Sequence, residues 1–178
     1  MNILRTARLN FKLMDENDGA LLFDLDNDPA VMEHLTRGQV STMNTIKDVF
    51  IPRMQAYRHP QQGWGLWQVN LNDNDSFIGW ILIRPMGFFT TEPDFSDIEI
   101  GWRFKRVSWG KGYASEAAAA VADAVTKNGD VKTLSATALK ANSGSIKIMK
   151  KLGMKFIEHY NHRDEFGELP AVLYRKSV

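Results

Sequence analysis

Apolar and polar residues alternate along Arg8-Leu9-Asn10-Phe11-Lys12-Leu13, the period of a strand with one buried face. Asp15 then offers an N-cap, and Ala20, Leu21, Leu22, Phe23 and Leu25 cluster at helical spacing. Asn27-Asp28-Pro29 breaks that helix, and Ala30–Leu35 forms another short turn. Ser41 or Thr42 can cap a further helix through Ile46, Val49, Phe50, Met54 and Tyr57; Pro52 inside it predicts a kink or break near Ile51. Two strands follow, Trp64–Leu71 and Phe77–Ile83, joined into a hairpin by Asn72-Asp73-Asn74-Asp75. Gly79 in the second marks a bulge or a close approach. Pro85–Phe95 reads as a loop. A strand over Ile98–Phe104, a glycine-bearing loop and an alanine-rich helix over Ala114–Lys127 come next, the helix ended by Asn128-Gly129. Val131–Leu139 returns to the strand period, and a helix capped by Ser143 or Ser145 and ended by Gly153 follows. Lys155–Tyr160 and Pro170–Lys176 make a last hairpin around the polar turn Asn161–Glu168. With no linker or repeat, the pattern predicts a single domain over residues 1–178, of mixed α/β (α+β) class.

Composition narrows the chemistry. The chain is 44% hydrophobic, enough for a real core, and its net charge of +1 gives no field pointing to nucleic acid or a membrane. The absence of cysteine removes disulfides, thiolate metal sites and cysteine nucleophiles. His34, His59, His159 and His162 show no metal spacing, so no metal is expected. No apolar run is long enough to span a bilayer, and Met1–Arg5 lacks the apolar core of a signal peptide, so a cytoplasmic protein is expected.

The candidate site is Trp109-Gly110-Lys111-Gly112-Tyr113-Ala114-Ser115-Glu116, set between the strand and the alanine-rich helix. A helix start carries unpaired N–H groups and partial positive charge, and glycines let a ligand approach the backbone. A P-loop is excluded because Lys105 and Gly112 stand where its first glycine and its Ser/Thr belong. A dinucleotide fingerprint lacks its third glycine, replaced by Ser115, and Asp130 precedes the next strand instead of ending it. The third pattern is Q/R-x-x-G-x-G/A. Gly112 and Ala114 fill its last positions, with Trp109 in place of Gln or Arg. Thirty residues after Gly112 comes Asn142-x-x-Ser145, followed by Lys151-Leu152-Gly153-Met154.

These two motifs, in this order and with a strand and helix between, resemble the acyl-CoA loop and the last motif of the GNAT acetyltransferase superfamily. The W-G-K-G-Y-A-x-E loop is similar to the branch of ribosomal-protein N-terminal (alanine/serine) acetyltransferases, and the opening strand, helix and Asp-Pro-x-Val-Met also resemble it. The resemblance covers Arg8 to Tyr174. It implies a mixed, mostly antiparallel sheet of six or seven strands, helices on both faces, and acetyl-CoA in a gap where a central strand pair splays. It implies that Ile100, Trp102 and Phe104 offer backbone groups to the pantetheine arm, and that Ile100 also polarises the thioester carbonyl. The loop from Trp109 through Gly110, Lys111, Gly112, Tyr113 and Ala114 to Ser115 would receive the diphosphate, and Asn142 would bond the cofactor with its amide.

Acetyl transfer needs a neutral amine, hence a base or a water wire. The resemblance makes Glu99 the candidate base, with desolvation raising its pKa. A tyrosine seven residues after the Asn is the family's usual thiolate donor, but Met149 stands there; Ser145 is the substitute donor or stabiliser of the CoA sulfur. Each residue also has a structural reading. Glu99 alternates as a solvent-facing strand residue would, Ser145 suits a helix cap, Glu116 suits a helix's first turn, and Lys147, Lys150 and Lys151 suit a solvated face. Trp64, Trp67 and Trp80 suit a core or cleft wall. Three readings stay open: transfer of acetyl to a protein N-terminus or a small amine such as a polyamine or aminoglycoside, a CoA-binding sensor without catalysis, and nucleotide binding through the loop. Glu33, Glu92, Asp94 and Asp97 are the carboxylates expected to attract a cationic acceptor, between the N-terminal helices and Pro85–Phe95, and His34 is another candidate lining residue. Oligomeric state is not legible, and a homodimer is left open.

Overall fold

The computed structural model describes residues 1–164 and 167–178, Asp164 in its backbone alone. β1 (Leu9–Leu13), β2 (Gly65–Leu71), β3 (Phe77–Met86) and β4 (Asp94–Phe104) pair antiparallel in sequence. β4 then pairs parallel with β5 (Thr133–Leu139), while β6 (Lys155–Asp164) and β7 (Gly167–Ser177) are antiparallel to each other. β7 inserts between β5 and β6, giving one seven-stranded sheet in the order β1-β2-β3-β4-β5-β7-β6. This is the mixed, mostly antiparallel sheet that the motifs imply.

α1 (Gly19–Asp26) and α2 (Pro29–Thr36) lie near the start of the chain. Asp15 caps the 3₁₀ turn that leads into α1, accepting from the Asn17 amide at 2.9 Å. Asp28 caps α2, with Pro29 in the first turn where its missing N–H costs nothing. Thr42, not Ser41, caps the next helical stretch. That stretch runs α3 (Met43–Thr45), a π-helical turn over Ile46–Phe50, and α4 (Ile51–Tyr57). The Ile51 amide bonds the carbonyl five residues back, on Ile46. The widened turn sits directly before Pro52, whose ring would collide with the carbonyl of an α-helical turn, so the expected break takes the form of a π segment.

Three stretches differ from the sequence pattern. The loop expected over Pro85–Phe95 is only Gly87–Pro93, because β3 continues to Met86 and β4 begins at Asp94. Pro85 fits there because it opposes Ile98 beyond the end of β2, where no ladder bond requires its N–H. The turn expected over Asn161–Glu168 is mostly strand: pairing runs from Asn161↔Pro170 to Asp164↔Gly167, and residues 165–166 lie outside the described residues. Polar side chains do not end a ribbon whose backbones satisfy each other. β5 starts at Thr133, two residues later than the alternation suggested.

α5 (Tyr113–Asn128) and α6 (Ser143–Lys151) complete the chain. Ala117, Ala118, Val121 and Val125 of α5 are buried in one cluster with Ile81, Ile83, Ile98 and Ile100 of the sheet, the small alanines allowing close approach. A second cluster joins α1 and the 43–57 stretch to the other side of β2 and β3, through Leu22, Ile46, Met54, Tyr57 and Leu66. Helices therefore cover both faces. Gly79 is the close approach expected of it: a Cβ there would lie 2.4 Å from the Arg103 carbonyl.

Candidate active site

β4 and β5 pair over only three residues, Asp97–Glu99 against Thr133–Ser135. Beyond Glu99 the two strands part. The ladder with β3 fixes what β4 presents there. The Lys105 amide donates to the Ile78 carbonyl at 2.9 Å, and hydrogen-bonded pairs alternate along an antiparallel ladder. Arg103, Gly101 and Glu99 thus spend their backbone groups on β3, and Phe104, Trp102 and Ile100 turn theirs toward β5 and the widening gap.

The glycine loop stands at the wide end of this gap. Gly110 and Gly112 have φ of 74° and 82°, the left-handed region that a side chain resists. Gly112 is the N-cap of α5, and no side chain caps that helix start. Among the described residues, none of the amides from Gly110 to Ser115 finds an acceptor. A Cβ on Gly110 would meet nothing within 4 Å. Trp109 donates its indole N–H to the Phe104 carbonyl at 2.8 Å, tying the loop to the end of β4. Lys111 is exposed.

Ser145 and Asn142 come from the start of α6. Asn142 is the N-cap, instead of either serine: its Oδ1 accepts from the Ser145 amide at 3.0 Å. The bond uses the carbonyl oxygen and leaves the Nδ2 donors for a ligand. Ser145 Oγ accepts from the Trp102 indole N–H at 3.1 Å, so the hydroxyl lies against β4. Met149 is fully buried in the core. Lys147, Lys150 and Lys151 are exposed.

Glu99 is on the opposite face of β4 and is not the solvent-facing carboxylate that alternation alone would give. Its Oε2 accepts from Arg84 Nε at 2.7 Å, and both side chains are mostly buried. The candidate base is thus held in an ion pair with Arg84, a residue that neither motif includes. A cavity of about 160 Å³ adjoins the pair, with Arg84, Arg103, Arg53, Tyr57 and Trp80 among its walls. Burial pushes the Tyr57 hydroxyl up to about 12 despite the nearby charges of Arg84 and Arg53, so it remains a proton donor. None of the four carboxylates expected to attract a cationic acceptor lines this cavity. Asp97 is buried and bonded to Ser135 and Arg175, Asp94 Oδ1 accepts from the Ser96 and Asp97 amides, and Glu33 and Glu92 are exposed. His34 is absent from the cavity walls as well.

Residues 8–155 match the Acetyltransferase (GNAT) domain. The chain belongs to the GNAT acetyltransferase family. Protein YkkB of Bacillus subtilis (strain 168) is 29% identical over 178 residues, 97% of this chain and 94% of that one. A GNAT-family acetyltransferase from Bacillus anthracis superposes with a TM-score of 0.80 at 23% identity, covering 99% and 98% of the two chains. RimL, the ribosomal L7/L12 α-N-protein acetyltransferase solved with coenzyme A, superposes with a TM-score of 0.78 at 14% identity, covering 100% and 98%. Among the described residues of this GNAT acetyltransferase, no helix is long and apolar enough to cross a membrane, and no group of His, Asp and Glu is arranged to hold a metal ion.

The acetyltransferase loop is braced by residues that carry no local sequence signal. Arg8, just before β1, pairs with Glu116 at 2.6 Å, donates through Nη1 to the Lys111 carbonyl at 3.0 Å, and stacks 4.5 Å from the Tyr113 ring centroid. Thr6 donates to Glu116 at 2.6 Å. The Glu116 carboxyl is therefore a clamp between the segment leading into β1 and the loop, beyond its place in the helix's first turn. Burial raises this carboxyl, but the Thr6 and Arg8 hydrogen bonds and the Arg8 charge outweigh burial and hold it below its ordinary 4.5. A depressed carboxyl contributes stability above its unfolded value and loses it as pH falls through the folded one. We expect Glu116→Gln to lower the Tm at pH 7, and the difference from wild type to shrink in melts taken below about pH 4.5. A constant difference down to pH 3 would show that the clamp is not ionic.

Proposed function

We propose that this GNAT acetyltransferase carries an acetyl group from acetyl-CoA to a primary amine by direct attack within a ternary complex. The observation that carries the reading is the row of unpartnered amides from Gly110 to Ser115, at the mouth of the gap that Ile100, Trp102 and Phe104 face. Six N–H donors at a helix start fit a diphosphate, and the open space at Gly110 fits close approach of a ligand. The likeness to RimL, solved with coenzyme A, supports the same co-substrate.

Acetyl-CoA supplies a thioester carbon that an amine can attack. In this reading the Gly110–Ser115 amides hold the diphosphate, Trp109 fixes the loop, Asn142 Nδ2 donates to the bound arm, and the Trp102 and Phe104 backbone pairs with it. The Ile100 amide lies where the strands part and donates to the carbonyl oxygen as charge develops on it. Glu99 takes the amine's proton through Oε1, since Oε2 is held by Arg84. Ser145 accepts from Trp102, so its own hydroxyl hydrogen is directed elsewhere and can solvate the departing sulfur.

Thiol release measured with acetyl-CoA and a panel of amines tests the reading. Glu99→Gln should lower kcat roughly 100-fold while acetyl-CoA affinity stays within about twofold. An unchanged rate and pH profile would assign the proton to water instead. One observation favours a second reading, a CoA-binding module without catalysis: Met149 is buried in the core where the family's tyrosine donor stands. Tight CoA binding with no thiol release from any amine would establish that alternative.

A further inference from the structure

We propose that the acceptor is a small amine that also carries a carboxylate, and that this carboxylate binds in the Arg-lined cavity over β3 and β4. The inference rests on the transferase reading and names its substrate class. Three guanidiniums, Arg53, Arg84 and Arg103, are set around the cavity against one lining carboxylate, Asp26. Asp26 is buried and already bonded to Arg103, and Glu99, next to the cavity, is bonded to Arg84. Both carboxylates are thus committed. A cationic group entering here finds no carboxylate without an arginine, whereas an anionic group finds one arginine, Arg53, without a carboxylate among the described residues.

The hydrogen-bond ledger has the same sign. Trp80 Nε1 and Arg103 Nε are buried donors with no acceptor among the described residues, and the two side chains stack, with the guanidinium carbon 4.9 Å from the indole ring. Buried N–H groups are nearly always paired, so two orphans side by side on a cavity wall call for an acceptor. A carboxylate supplies one that answers both donors and the excess charge.

Size and shape limit the rest of the molecule. The volume of about 160 Å³ suits an amino-acid-sized ligand, and Leu22, Met54, Leu66 and Leu82 offer it an apolar wall. The β3–β4 loop lays Phe89 against Arg53 at 3.8 Å, with Tyr57 and Phe88 edge-on to it. Trp80 and Arg103 face each other across the strands four residues along from Arg84 and Glu99, about 13 Å at strand rise. An acceptor that meets both pairs therefore carries its amine several bonds from its carboxylate, as an ω-amino acid does.

The test compares matched pairs in the thiol-release assay: 5-aminopentanoate against pentylamine, 6-aminohexanoate against hexylamine, and 7-aminoheptanoate against heptylamine, with spermidine and kanamycin alongside. The carboxylates should lead their neutral partners at least tenfold in kcat/KM, mostly through KM. Arg53→Gln, at an exposed position, should bring that ratio toward one. Trp80→Phe should do the same; a merely structural indole would leave the ratio unmoved. Arg103→Gln leaves Asp26 buried without its partner and is the less informative variant. Equal rates within pairs, or a lead for spermidine or kanamycin, would overturn the inference with the transferase intact. If no amine releases thiol, the transferase reading has failed, and thermal melts decide the subsite. Higher protection by the carboxylates than by their partners lacking one would support it, and equal or no protection would overturn it.

Discussion

Replacing Gly112 with tryptophan should weaken acetyl-CoA binding at least 100-fold, measured by calorimetry, while the protein still melts cooperatively. Two effects act at this position. Its φ of 82° is one that an L residue adopts only at a cost of about 1–2 kcal/mol, whatever the side chain. A Cβ would also lie 3.5 Å from Arg8 Nη2, an ordinary contact, so the backbone has room for the branch itself. The bulk of an indole must then project into the space before the free amides of the α5 start. Gly112→Ala separates the two effects. It carries the strain without the bulk, and should lower the Tm by several degrees yet lose much less affinity than the tryptophan variant. Tryptophan at this position with acetyl-CoA affinity unchanged would mean that the diphosphate is held elsewhere. The cofactor reading of the loop would then fall, although family membership would not.

The loop was legible in the sequence because its requirements are local. Glycines at left-handed φ, a strand before and a helix after leave a mark in eight consecutive residues. The strand alternation was legible for the same reason, and most boundaries lie within two residues of it. What did not show were contacts made at long range. Arg8 reaches the loop across 103 residues to Lys111, and nothing near it in sequence distinguishes it from any strand arginine. Arg84 is different. It follows Trp80 and Leu82 on the same row of β3, and a charge in a row facing a helix layer signals a partner or a site. That signal was present, but identifying Glu99 as the partner required the register with β4. Asn142 and Ser145 exchanged expectations in part: the asparagine caps α6, while the serine bonds a tryptophan. Asn-x-x-Ser carries both a cap and a ligand contact, and spacing alone does not divide those tasks. The carboxylates near the acceptor side were the least legible. Their charge suggested attraction of a cation, but Asp97 and Asp94 are consumed by the fold, and three arginines define the cavity's field.

Asp97→Ala should be the most damaging of the single changes for stability, because it removes the pin beside which the sheet divides. Asp97 Oδ2 accepts from Ser135 Oγ at 2.8 Å and from Arg175 Nη2 at 2.8 Å, while Arg175 Nε also donates to Ser135 at 2.9 Å. The triad joins β4, β5 and β7 within the three-residue stretch where β4 and β5 pair at all. Asp97 and Ser135 are buried, and the Arg175 side chain is 38% exposed. Breaking a buried pair costs about 3–5 kcal/mol, and the partial exposure of Arg175 places this one toward the low end. In a chain of this size a loss of about 3 kcal/mol lowers the Tm by roughly 6–12 °C. Asp97→Asn keeps the shape and an acceptor for Ser135 but loses the charge, and should fall between alanine and wild type. A double-mutant cycle with Ser135→Ala should return a coupling above about 1 kcal/mol, since both act through one network. The same change reaches function. With the pin gone, the gap has no fixed starting point, so Ile100, Trp102 and Phe104 no longer hold their amides in line, and acetyl-CoA affinity should drop along with stability. An alanine variant that melts within 2 °C of wild type, or that loses stability while binding acetyl-CoA unchanged, would show that the strand pair stays parted for reasons other than this triad.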